Sequence, residues 1–121
     1  MTARFWQLLI ELYEATKNEG LKWQDTAEEG DFRIGLGAGI VRISYGWSED
    51  TGEYYRAYLI DRKGRTIEEA TVFDKQRAEF SMMENLYRLA KASAYNADQI
   101  IDSMIADLKL GKVRELHSDD Y

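Results

Sequence analysis

Residues 3–19, ARFWQLLIELYEATKNE, place Phe5, Leu8, Leu9, Leu12, Ala15 and Thr16 at steps of three and four. That spacing is the apolar stripe of an amphipathic helix. Thr2 stands where a side-chain oxygen caps the first turn, and Gly20 where a left-handed residue ends the last. Trp6 and Tyr13, seven apart, lie beside the same stripe, where they either widen the core face, the favoured reading, or form part of a contact surface. The period then changes to two. LKWQDT, residues 21–26, alternates Leu21, Trp23 and Asp25 with polar positions, which fits a first strand before the turn AEEGD. Phe32, Ile34 and Leu36 alternate with Arg33, Gly35 and Gly37. Beyond Gly39, Val41, Ile43, Tyr45 and Trp47 alternate with Ile40, Arg42, Ser44 and Gly46. In YYRAYLIDR, residues 54–62, Tyr55, Ala57 and Leu59 oppose Tyr54, Arg56, Tyr58 and Ile60. DRKG reads as a tight turn, and a short edge strand follows around Thr66–Glu69. Four or five strands joined by short turns form an antiparallel meander.

From Asp74, a good N-cap residue, the period is helical again, with Phe80, Met83, Tyr87, Ala90 and Ala94 in one stripe. Asn96 with Gln99 three residues later has the form of a capping box for a further helix. Its expected buried face is Ala97, Ile100, Ile101, Met104, Ile105 and Leu108, and Gly111 closes it. The expectation is an α+β fold: an N-terminal helix, a four- to five-stranded antiparallel meander, and two C-terminal helices packed on one sheet face. Residues 1–111 form one domain, and KVRELHSDDY, residues 112–121, lacks any period and reads as a flexible tail.

Composition narrows the class. At 121 residues the chain is long enough to fold around its own core without metal or disulfide. It contains no proline and no cysteine, so thiol chemistry and disulfide frameworks are out. No apolar run reaches membrane-spanning length and no secretion signal opens the sequence, so a cytoplasmic protein off the membrane is expected. The net charge is −6. Residues 66–121 and 1–31 are acidic, and residues 32–65 carry a small basic excess. Overall acidity disfavours nonspecific nucleic-acid binding.

Little in the chain resembles catalytic machinery. The run Gly35, Gly37, Gly39 has the wrong spacing for a dinucleotide loop and leads into a strand, whereas such a loop needs a helix N-terminus to hold phosphate. It reads as a hairpin corner using the freedom of glycine at positive φ. The single histidine, His117, lies in the tail beside Glu115, Asp119 and Asp120, which gives no fixed metal geometry. Glu68 and Glu69 point to opposite strand faces, Asp98 and Asp102 sit at a helix start, and Glu28, Glu29 and Asp31 lie in a turn. All read as solvated charge, and Asp61 as a turn residue bonding to backbone. The expectation is a nonenzymatic protein with no cofactor and no metal.

One surface stands out. If Phe32, Val41, Ile43, Tyr45, Tyr55 and Leu59 face the helices, then Arg33, Arg42, Tyr54, Arg56 and Tyr58 share the other side. Tyrosine and arginine are enriched at interface hot spots. Three readings stay open: cross-strand pairs that only stabilise the sheet, a protein interface including self-association as a homodimer, and stacking of single-stranded nucleic acid. A fourth, acidic DNA mimicry, uses the helical flanks. A one-residue shift at Gly37–Gly39 would exchange the faces.

The stretches LLIELYEATKNEGLKWQD, YLIDRKGRTIEE and LYRLAKASAYNADQIIDSMIADL, spread over residues 8–108, resemble a loose group of small bacterial and phage proteins of unassigned function. The resemblance implies an accessory, immunity or anti-defence role for a mobile element, with no catalytic residues. The resulting expectation is a protein-binding module acting through an open sheet face.

Overall fold

The computed structural model describes residues 2–117 and 119. Helix α1 spans Ala3–Glu19, followed by strands β1 (Gln24–Asp25), β2 (Asp31–Leu36), β3 (Gly39–Ser48), β4 (Gly52–Asp61) and β5 (Thr66–Phe73). Helices α2 (Arg77–Ala94) and α3 (Ala97–Lys109) complete the order. The strands form one antiparallel sheet in sequence order, β1-β2-β3-β4-β5. This is the expected α+β arrangement.

Alternation along the strands puts every apolar side chain of one parity on one face. Phe32, Ile34, Val41, Ile43, Tyr55, Ala57, Ala70 and Val72 are buried there, in one cluster with Phe5, Leu9 and Leu12 of α1 and Met83, Leu86 and Ala90 of α2. An aromatic group made of Phe32, Tyr45, Tyr55, Phe80, Tyr87 and Tyr95 runs through this layer, with ring centroids 5.1–6.2 Å apart. Trp6 and Tyr13 pack at its margin, as expected. Tyr45 and Trp47 differ: the end of β3 reaches beyond the helices, and Trp47 is 61% exposed.

Helix ends follow the sequence signals in part. Thr2 Oγ1 accepts from the Phe5 N–H at 3.1 Å, and Gly20 ends α1 at φ 66°. Asp74 does not cap α2. It lies against Gly52 of the β3–β4 hairpin, and the helix starts after Gln76, whose Oε1 accepts from the Phe73 N–H. Asn96 takes a left-handed φ of 53° and makes no side-chain cap bond, so the capping box with Gln99 is not formed. Asn96 turns the chain between α2 and α3. Gly111 ends α3 at φ 69°, with the Lys112 and Gly111 N–H groups bonded back to Asp107 and Leu108 carbonyls.

Two strands differ in length from expectation. β1 is short because the Trp23 N–H donates to Ser93 Oγ of α2 at 2.8 Å and its indole N–H to Thr16 Oγ1 at 3.0 Å. β5 is longer, because Ala70 and Val72 continue the buried parity as far as Phe73. A larger difference concerns α3. It packs on α2 and not on the sheet, and none of its residues is buried, so its apolar stripe is not part of the core.

The glycine run does make the β2–β3 corner, although no member of it has a left-handed φ. Gly39 is needed for a different reason: a Cβ there would stand 2.3 Å from the Ile60 carbonyl oxygen of β4. Gly35 and Gly37 face open space. Gly39→Ala is therefore expected to lose about 1–3 kcal/mol through forced strand displacement, while Gly35→Ala stays neutral or gains slightly. Urea unfolding of the two variants checks this.

Burial pushes the Tyr55 phenol up to about 12. Tyr45 is raised by its hydrogen bond to Glu53, and Tyr87 by burial. Below the ordinary tyrosine value of about 10 both folded and unfolded chains keep these protons, so stability is unaffected. Above it the unfolded chain ionises first, and stability falls as pH rises from about 10 to about 12. Melting temperatures across that window should show the decline, and Tyr55→Phe should flatten it.

Candidate functional site: the open sheet face

Beyond a row of Gly35, Ile40, Ile60 and Thr66 nearest the β2–β3 corner, the outward parity of the strands forms three further rows across the uncovered face. Arg33, Arg42, Tyr58 and Glu69 are successive neighbours from β2 to β5. Asp31, Ser44, Arg56 and Thr71 form the next row, and Gly46, Tyr54 and Phe73 the third. All five sequence-predicted residues, Arg33, Arg42, Tyr54, Arg56 and Tyr58, thus share one face. Both α1 and α2 lie on the other.

The arginines are held differently. Arg42 pairs with Asp31 through Nη2 and, at 3.4 Å, through Nε, and its guanidinium lies 5.8 Å from the Tyr58 ring centroid. Arg56 Nε donates to Thr71 Oγ1 at 3.2 Å, stands 3.5 Å from Glu69 Oε1, and its guanidinium lies 5.2 Å from the Tyr54 centroid. Arg33 is exposed and makes no ion pair with the described residues. Donating to the Asp31 carboxylate raises the Arg42 guanidinium above its ordinary value, and Tyr58 is the largest influence raising Arg56. Both stay charged across the working pH range, so the face carries fixed positive charge.

Glycine shapes this surface too. The Tyr54 ring lies over Gly46, where any Cβ would meet ring atoms at 2.3–2.6 Å. Tyr54 also contacts Phe73, at 6.0 Å between centroids. A larger residue at 46 would tip Tyr54 off the sheet.

Asp31 is the residue of this face that the turn reading misplaced. It opens β2, and it is only 4% exposed. The signal was parity: two positions before Arg33 and one before Phe32, it belongs to the outer face beside Arg42. The other carboxylates serve local structure or face water. Glu68 Oε1 accepts from the Thr2 N–H at 2.6 Å at the start of α1, whereas Glu69 meets Arg56 on the opposite face. Asp61 Oδ1 accepts from the Lys63 and Arg65 N–H groups at 2.9 Å each, which is the expected turn role. Asp98 and Asp102 are exposed on α3, and His117 follows that helix. Asp120, named above beside His117, lies outside the described residues together with Met1, Ser118 and Tyr121. Among the described residues no group of three or more His, Cys, Asp or Glu is placed to hold a metal ion. No described helix is long and apolar enough to cross a membrane.

No protein-family model, curated protein or solved structure matches the chain.

Arg42 is both a surface residue and half of a structural pair. Arg42→Ala strands a buried carboxylate and is expected to cost about 2–3 kcal/mol. Arg33→Ala should stay within about 0.5 kcal/mol of wild type. Denaturant titration separates the two, and equal small effects would show that Asp31 does not depend on its guanidinium.

Proposed function

We propose that the chain is a noncatalytic protein-binding module whose open sheet face docks an acidic surface of a partner protein. One observation carries the reading: three arginines and two tyrosines stand on a single sheet face that no helix covers. Two of the arginines are already fixed by cross-strand bonds, so little side-chain entropy is lost when a partner's carboxylates meet them. Arg33 supplies an uncommitted charge at the β2 end. The resemblance to small phage and bacterial proteins supports an inhibitor or accessory role of the immunity or anti-defence type, carried out in the cytoplasm.

The tyrosines favour a protein partner over single-stranded nucleic acid. Each ring has a guanidinium close by, at 5.2 Å for Tyr54 and 5.8 Å for Tyr58. That takes up π surface on which a base would stack. Asp31 and Glu69 also partly neutralise the face against a continuous phosphate chain.

Arg33→Glu/Arg56→Glu reverses the charge and leaves the Asp31–Arg42 pair intact. Wild type and this variant are compared by capture from host lysate, and each differential prey is purified for direct titration. A prey bound at least about tenfold more weakly by the variant supports the proposal. If no prey distinguishes the two proteins, or if oligo-dT binds at low salt and is lost in the variant, the proposal fails.

A further inference from the structure

The largest unexplained surface lies away from the sheet. Of the fourteen large hydrophobic side chains exposed among the described residues, eight fall between Ile100 and Leu116. On α3 itself Ile100 is 53% exposed, Ile101 51%, Met104 60%, Ile105 46% and Leu108 71%. Leu110, Val113 and Leu116, past its C-terminus, are 63–80% exposed, and Val113 shares a groove with Ile100, Met104 and Leu108. At on the order of 100 Å² each, the five stripe residues present on the order of 500 Å², so two copies together bury on the order of 1,000 Å², the lower end for a specific interface.

A helix of 13 residues is marginal in water, α3 lacks a side-chain cap bond at its start, and its packing on α2 leaves the apolar stripe exposed. The arrangement of charge beside the stripe points to one kind of cover. At about 100° per residue, Ile100, Ile101, Met104, Ile105 and Leu108 centre on one direction, while Asp98, Asp102 and Lys109 share one flank of it. The opposite flank carries Asp107. When two copies of a helix pair antiparallel about a two-fold axis, each flank faces its own copy with direction reversed. The Asp98 and Asp102 end of one helix then meets the Lys109 end of the other, and the helix dipoles oppose favourably. Parallel pairing would set the Asp98–Asp102–Lys109 flank against Asp107 and lose this match. A lipid surface fits poorly, because helices that lie on membranes carry Lys and Arg on the polar face, and α3 has three Asp and one Lys.

We propose that α3 is a dimerisation helix that binds α3 of a second copy antiparallel, crossing near Met104 and burying the Ile100–Leu108 stripe. The contact is isologous and closes on itself as a two-fold dimer. It lies apart from the sheet face, so it stands or falls independently of the function proposed above.

Light scattering coupled to size exclusion should give twice the 14.0 kDa chain mass at about 100 µM. Ile101→Asp/Ile105→Asp should be monomeric with the melting temperature of the sheet domain held within about 2 °C, since neither residue is in the core. Lys109→Glu should weaken the dimer about tenfold, and adding Asp98→Lys and Asp102→Lys should restore it. The chain has no cysteine, so single-cysteine variants report orientation cleanly. Ile100→Cys and Leu108→Cys should form a disulfide with each other when mixed and not with themselves. A monomeric wild type at about 100 µM, a dimer indifferent to the Ile101/Ile105 change, or self-crosslinking of Ile100→Cys each overturns the proposal.

Discussion

The ten-residue ladder between β3 and β4 decides which side of the sheet is dry, because a strand's side chains alternate faces and a slip of one residue exchanges them. Glycines fix that register at both ends. At one end Gly39 admits the Ile60 carbonyl, and at the other Gly46 lies beneath the Tyr54 ring. A Cβ at 39 would meet fixed backbone, whereas one at 46 would displace only the Tyr54 ring, so Gly39 is the firmer of the two constraints. With this register set, Val41, Ile43, Tyr55 and Ala57 point to the helices, and Arg42, Arg56, Tyr54 and Tyr58 point away. The dry core face and the polar outer face both follow from that register.

The same register explains why the polar face is ordered rather than a fringe of long, mobile side chains. Diagonal neighbours place Asp31 within reach of Arg42, and direct neighbours place Thr71 beside Arg56. A buried carboxylate beside a half-buried guanidinium makes Arg42 part of the fold. Arg33 and Arg56 are the residues whose charge can be changed without exposing the sheet to that penalty. A surface can therefore contain residues suited to binding while only some of them are free to report it.

How much of this was legible in the chain depends on the range of the interaction. α1 and the strand faces were legible because a period of 3.6 or 2 is written in adjacent residues. All five sheet-face residues followed from parity alone. Distant partners were not legible. Trp23 spends its N–H on Ser93, seventy residues away, and nothing near Trp23 signals that β1 ends there. Asp74 is a good cap in isolation, but its place against Gly52 removes it from the helix. Gly39 was visible as a glycine, while the carbonyl that requires it lies on another strand. For α3, periodicity correctly gave an apolar stripe and wrongly implied a buried one. A stripe records that a helix has a side needing cover, and it carries no information about which surface supplies it.

That last distinction ties the two proposed surfaces together. α3 rests on α2, and the arginine face is on the front of the sheet, away from α2. Pairing through α3 would leave both front faces uncovered and join them in one particle. Two weak, polar docking faces presented together bind a repeated or dimeric target with far greater avidity than one face alone, without any new contact. Polar faces of this kind, with fixed arginines and few apolar anchors, give specificity more readily than affinity. A separate apolar element that doubles them supplies what they lack, and that division of labour gives an exposed α3 a physical reason to exist.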